Sequence, residues 1–90
     1  MSRRKYELHN VLDEHLRLIR WPARRPLRQA ALVYLASKFE DGQQYGESAV
    51  NALLRRWHVF DDPALLRREL YDGGFVKRTP DGRAYWKVPA

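Results

Sequence analysis

Three basic clusters carry the chemistry available to this chain. Arg67 and Arg68 precede Tyr71 at helical spacing, Lys77, Arg78 and Arg83 follow in two short extended runs, and Arg24, Arg25 and Arg28 straddle Pro26. A guanidinium presents a planar fork that meets a phosphate, or the edge of a guanine, through two parallel hydrogen bonds, where an ammonium offers only a point charge. An exposed tyrosine beside such groups adds a flat surface for a base or sugar. The chemistry these residues suit is recognition of a polyanion.

Bond-making chemistry finds no comparable set. His9 and His15 are six residues apart, about 240° around a helix, so they cannot chelate one metal as an i, i+4 pair would. His58 lies in a turn without the Ser and acid partners of a triad. There is no Cys to act as thiolate ligand or nucleophile, and Gly73-Gly74 leads into a strand pattern rather than the helix a phosphate loop requires. No catalytic residue, metal site or cofactor is expected.

Composition agrees with a polyanion partner. Lys and Arg number 17 against 11 Asp and Glu, a formal charge of +6 on 90 residues. Such a domain is drawn electrostatically to nucleic acid, and double-stranded DNA is the expected partner. The length suits one modest core. No apolar run approaches the length of a membrane span, so no membrane partner is expected and the cytoplasm is the expected compartment.

The elements that must position these groups follow from periodicity. Leu8, Val11, Leu12, Leu16 and Ile19 recur at helical spacing and predict a first amphipathic helix from about Tyr6 to Arg20. Pro22 and Pro26 break it, and a second helix is expected from Pro26 to about Glu40. A third, Glu47 to Trp57, buries Val50, Leu53, Leu54 and Trp57. The fourth starts at Asp62-Pro63, an N-cap followed by a residue with no amide hydrogen to satisfy, and runs to Asp72. With Leu66 and Leu70 inward, its outer side carries Ala64, Arg68 and Tyr71, flanked by Arg67 and Asp72.

Beyond Gly73-Gly74, two strands flank Thr79-Pro80-Asp81-Gly82, whose Pro and Gly suit a type I turn. Alternation sets Arg83, Tyr85 and Lys87 on one face and Ala84, Trp86 and Val88 on the other, with Trp86 expected to seal the core. The other expected core residues are Leu32, Leu35, Phe39, Val50, Leu54, Trp57, Leu66, Leu70 and Val76. This order predicts a mostly helical α+β fold, a winged helix-turn-helix with a helical extension and a hairpin wing. Residues 1–25 would form the amphipathic helix and basic joint, and residues 26–90 the winged-helix domain.

A family resemblance adds to this reading. The runs Tyr45-Gly46-Glu47-Ser48-Ala49-Val50-Asn51-Ala52-Leu53-Leu54, Leu66-Arg67-Arg68-Glu69-Leu70-Tyr71-Asp72 and Arg78-Thr79-Pro80-Asp81-Gly82-Arg83-Ala84-Tyr85-Trp86 resemble the bacterial domain of unknown function 2087. The similarity spans roughly residues 20 to 88. It implies a winged-helix-like module of the kind found alone or at the C-terminal end of ArsR-like transcriptional regulators. Asn51, Arg67, Arg68, Glu69, Asp72, Arg78, Tyr85 and Trp86 stand at matching positions. Gly46 and Ala49 depart from the family's Thr or Ser and Glu, removing both halves of a capping box.

Together these readings predict a DNA-binding regulator that reads a groove with the fourth helix and grips phosphate with the hairpin and the Arg24-Arg25-Arg28 joint. A protein-docking module is the rival, with Tyr6, Leu8, Leu12, Leu16 and Ile19 on the first helix forming a homodimer or partner face. RNA binding, with Tyr and Arg stacking on unpaired bases, comes third. Under the bland reading, Arg68 merely pairs with Asp72 and the hairpin tip is charged for solubility.

Overall fold

Capping and turn chemistry divides the chain much as its prolines and glycines suggest. The computed structural model describes residues 8–89. After a single 3-10 turn, Leu8–Val11, come α1 (Arg25–Ala36), β1 (Gln44–Tyr45), α2 (Glu47–Arg55), α3 (Pro63–Asp72), β2 (Val76–Arg78) and β3 (Tyr85–Lys87). Asp62 caps α3 by accepting from the Leu65 amide at 3.1 Å. Gly74, at φ 81°, closes it: Phe75 N–H reaches the Leu70 carbonyl and Gly74 N–H the Tyr71 carbonyl, the Schellman pattern that uses up otherwise free helix carbonyls. At α2, Gly46 provides no side-chain cap, as the sequence implied.

The strands form one antiparallel sheet ordered β1-β3-β2. Among the described residues this gives a small α+β arrangement of three α-helices and a three-stranded sheet, compatible with a winged-helix-like fold. Leu27, Leu32, Leu35, Phe39, Val50, Leu54, Leu66, Leu70 and Val76 meet in one core. Burial of this apolar surface is the main term opposing chain entropy in so short a chain.

The first helix is not formed in the described part of its range, and Tyr6 lies outside the described residues. Beyond the 3-10 turn the chain doubles back as a narrow hairpin. Asp13 N–H donates to the Arg17 carbonyl and Ile19 N–H to the Val11 carbonyl, both at 2.9 Å, and Leu12 bridges Leu18. The cause is Asp13, whose carboxylate accepts from the amides of His15 and Arg17 and pairs with the Arg17 guanidinium at 2.9 Å. That local capture of backbone donors competes with the helix. Tertiary partners complete it. Leu18 exchanges hydrogen bonds with the 57–59 segment, and the Tyr34 hydroxyl donates to the Leu16 carbonyl at 2.6 Å. Val11 and Leu18 are fully buried, while Leu16 and Ile19 of the expected stripe are exposed. Through Val11 and Leu18 the N-terminal hairpin shares the core with the helices.

A second correction concerns β3. Val76 pairs with Lys87, Lys77 with Trp86 and Arg78 with Tyr85. Directly opposed residues share a face, so Val76 and Tyr85 point inward together while Trp86 faces outward beside Lys77. Tyr85 is 2% exposed and belongs to the core; Trp86 is half-buried and does not. Trp57 is likewise only half-buried, edge-on to Tyr34 and covered by the Lys38 ammonium at 4.0 Å from its ring.

Candidate nucleic-acid interface

Because Leu66 and Leu70 are drawn into the core, the opposite side of α3 must face outward, and the hairpin of β2 and β3 rises beside it. Between them lies an open groove of about 600 Å³, lined on the helix side by Ala64, Arg67, Arg68 and Tyr71 and on the hairpin side by Arg78 and Tyr85. The structure thus brings together the expected outer residues of the helix and one cation of the hairpin.

These arginines are held differently. Arg67 is turned to the interior edge: its Nη1 donates to Asn51 Oδ1 and lies 3.9 Å from Glu47 Oε2, and its side chain is only 20% exposed. It ties α3 to α2. Arg68 points outward, its side chain 79% exposed and its Nε 4.0 Å from Asp72 Oδ2. An exposed i, i+4 pair of this kind contributes only a few tenths of a kcal/mol, so it yields readily to a polyanion. Arg78 stacks on Tyr71, its guanidinium carbon 4.2 Å from the ring centroid. The Tyr85 hydroxyl is the main influence that raises its pKa above the ordinary arginine value.

The other hairpin cations are elsewhere. Lys77 shares the outer face of the sheet with Trp86. Arg83 sits at the tip, exposed, with its Nε 3.8 Å from Asp81 Oδ2. The tip is well ordered chemically: Gly82 N–H closes the turn on the Thr79 carbonyl, the Thr79 hydroxyl donates to Asp81 at 2.6 Å, and Asp81 accepts from the Arg83 amide. Those contacts, the Thr79 hydroxyl first, hold the Asp81 carboxyl below its usual range.

The Arg24-Arg25-Arg28 joint divides too. Arg24 caps α1 through its backbone, and both it and Arg25 are exposed. Arg28 Nε donates to the Pro22 carbonyl at 2.6 Å, and its guanidinium lies 5.9 Å from the Trp21 ring, so it closes the joint on itself. Glu69 of α3 lines the same shallow depression as Arg25 and Arg28.

Two residues that sequence reasoning passed over shape this surface. His58, 4% exposed, uses both ring nitrogens: Nδ1 lies 2.6 Å from the Leu54 carbonyl and Nε2 accepts from Asp62 N–H at 2.9 Å. Since a carbonyl only accepts, Nδ1 carries the proton. The ring thereby fixes the end of α2 to the cap of α3. Tyr85 is the other; the hairpin's even spacing, which makes Val76 and residue 85 share a face, was the available signal. Among the described residues no group of three or more His, Asp or Glu side chains is placed to hold a metal, and no helix is long and apolar enough to cross a membrane.

A family model described as an uncharacterized protein conserved in bacteria, DUF2087, matches residues 17–87. The chain belongs to that family. No curated protein and no solved structure matches it.

Proposed function

For this member of an uncharacterized bacterial family, we propose a role as a nucleic-acid-binding protein that grips double-stranded DNA, with α3 laid along a groove and the β2–β3 hairpin beside it, in transcriptional regulation. One observation carries the reading: Arg68, Tyr71 and Arg78, from two separate elements, converge on one outward groove of a chain with net charge +6. The helix supplies an adaptable guanidinium for a base edge, and the hairpin supplies cations for the backbone. Arg25 and Arg24, exposed at the start of α1, extend the positive surface.

The test is binding of the full chain to duplex DNA, single-stranded DNA and RNA at low and moderate salt. Preferential duplex binding that weakens steeply with salt is expected. Stronger binding to single strands or RNA would redirect the reading to unpaired bases. No binding at low salt would overturn it in favour of protein docking.

A further inference from the structure

We propose that Arg78, held by Tyr71 and Tyr85, is a pre-set clamp for one phosphate of a nucleic-acid backbone, and that Tyr71 is a positioning residue acting through Arg78 rather than a reader of bases. This rests on the nucleic-acid reading above and assigns one of its contacts.

The argument starts from strand parity. Of the four hairpin cations, Lys77 lies on the outer sheet face, Arg83 at the tip, and Lys87 pairs with Asp41 at 3.2 Å; among them Arg78 lines the groove shared with α3. Its position is fixed at both ends. Its backbone pairs with Tyr85 in the sheet, and its guanidinium carbon lies over the Tyr71 ring, 4.2 Å from the centroid. A planar cation stacked on an aromatic face has lost most of its rotameric freedom before any ligand arrives, so less entropy is lost on binding. Stacking uses the face of the guanidinium and leaves its in-plane donors as the means of contact. Tyr85 lines the same groove and raises the pKa of Arg78. The in-plane donors suit a tetrahedral oxyanion.

Tyr71 fits the supporting role. It is 39% exposed, but its ring already carries Arg78. Arg68, one turn before it and facing solvent, is left as the group able to adapt to different base edges.

The experiment measures binding of the full chain to a mixed-sequence duplex across a salt series, for wild type, Arg78→Ala, Arg78→Lys, Tyr71→Phe, Tyr71→Ala and the double variant Tyr71→Ala/Arg78→Ala. Melting temperatures confirm that each is folded. Arg78→Ala is expected to weaken binding roughly tenfold and to lower the salt slope by about one. Arg78→Lys restores the slope without the full affinity, because the charge returns without the flat stack. Tyr71→Phe, which keeps the ring, binds close to wild type. Tyr71→Ala loses most of what Arg78→Ala loses, and the double variant is no weaker than Arg78→Ala. Additive losses, or Tyr71→Phe as damaging as Tyr71→Ala, would overturn the supporting role. Wild-type binding with Arg78→Ala unchanged would remove the clamp and leave the nucleic-acid reading standing. A wild type that binds no duplex even at low salt would remove both.

Discussion

Among the described residues, two Asp-closed reversals use the same chemistry for opposite ends. In the N-terminal hairpin, Asp13 accepts from two downstream amides and pairs with Arg17; at the tip of the β2–β3 hairpin, Asp81 accepts from the Arg83 amide and pairs with Arg83. The first turn returns the chain into the core: Leu18 is fully enclosed and exchanges hydrogen bonds with the 57–59 segment. The second holds Arg83 out in solvent at its tip. An Asp-closed turn is therefore neutral as to role. What decides is whether the flanking side chains meet an apolar partner, as Val11 and Leu18 do, or water.

The largest expected effect lies on the buried side of this contrast. Leu18→Ala empties a fully enclosed site and should destabilise the fold by about 2–5 kcal/mol, by chemical denaturation. Lys77→Ala, on the outer face of the β2–β3 hairpin, should stay within about 0.5 kcal/mol. Comparable losses at the two positions would erase the distinction between a packed hairpin and a solvated one.

His58 comes next, because Leu18 bridges it and it carries the N-terminal hairpin's position to α3. His58→Ala leaves the Asp62 amide without its partner, at a cost of about 1–3 kcal/mol, while the Leu54 carbonyl keeps the Trp57 amide at 2.9 Å. Hydrogen exchange measures this: the α3 amides should lose protection along with those at 57–59, whereas the turn amides of Gly82 and Arg83 keep theirs. Uniform loss across the chain would mean the hairpin acts on global stability alone.

The two turns also explain what could be read in advance. Thr79-Pro80-Asp81-Gly82 announces itself because Pro and Gly are there for backbone reasons, and Gly82 indeed sits at φ 72°. The cap Asp62-Pro63 and the stop Gly73-Gly74 are equally local, so α3 and its outward Arg68 and Tyr71 were legible from sequence. The first turn conceals itself. Its left-handed residue is Leu16, at φ 63°, and its apolar residues mimic a helical stripe. Only the contacts of Leu18 with Trp57 and Val59 and of Leu16 with Tyr34 reveal the reversal, and these are long-range. The tie of Arg67 to α2 was hidden for the same reason. Its partners Asn51 and Glu47 lie a whole element away.

That contrast in backbone cost predicts opposite signs for one pair of substitutions. Leu16→Gly removes a left-handed strain of about 1–2 kcal/mol, against roughly 0.5–1 kcal/mol of added chain entropy, and should stabilise by about 0.5–1 kcal/mol. Gly82→Ala forces a β-carbon into that region and should destabilise by about 1 kcal/mol. Thermal melts of the two variants decide it; a loss of stability in Leu16→Gly would mean that the exposed Leu16 side chain has a packing role at this turn.

The smallest effect is on acid stability, and both turns should show it. Asp13 is held below its ordinary 3.8 chiefly by the Arg17 amide, and Asp81 below the same value chiefly by the Thr79 hydroxyl. A carboxyl whose folded pKa is depressed contributes stability that is complete above the unfolded value and disappears as pH falls through the folded one. Asp13→Asn and Asp81→Asn should therefore melt slightly below wild type at neutral pH, and the gap should close below about pH 3.8 as the native carboxyls take up their protons. The gap should be wider for Asp13, whose ion pair is closer, 2.9 Å against 3.8 Å, and less exposed. If Asp81→Asn shows the larger gap, the tip of the β2–β3 hairpin depends on its turn more than the N-terminal hairpin does, and the packing around Leu18 suffices to hold the first reversal closed.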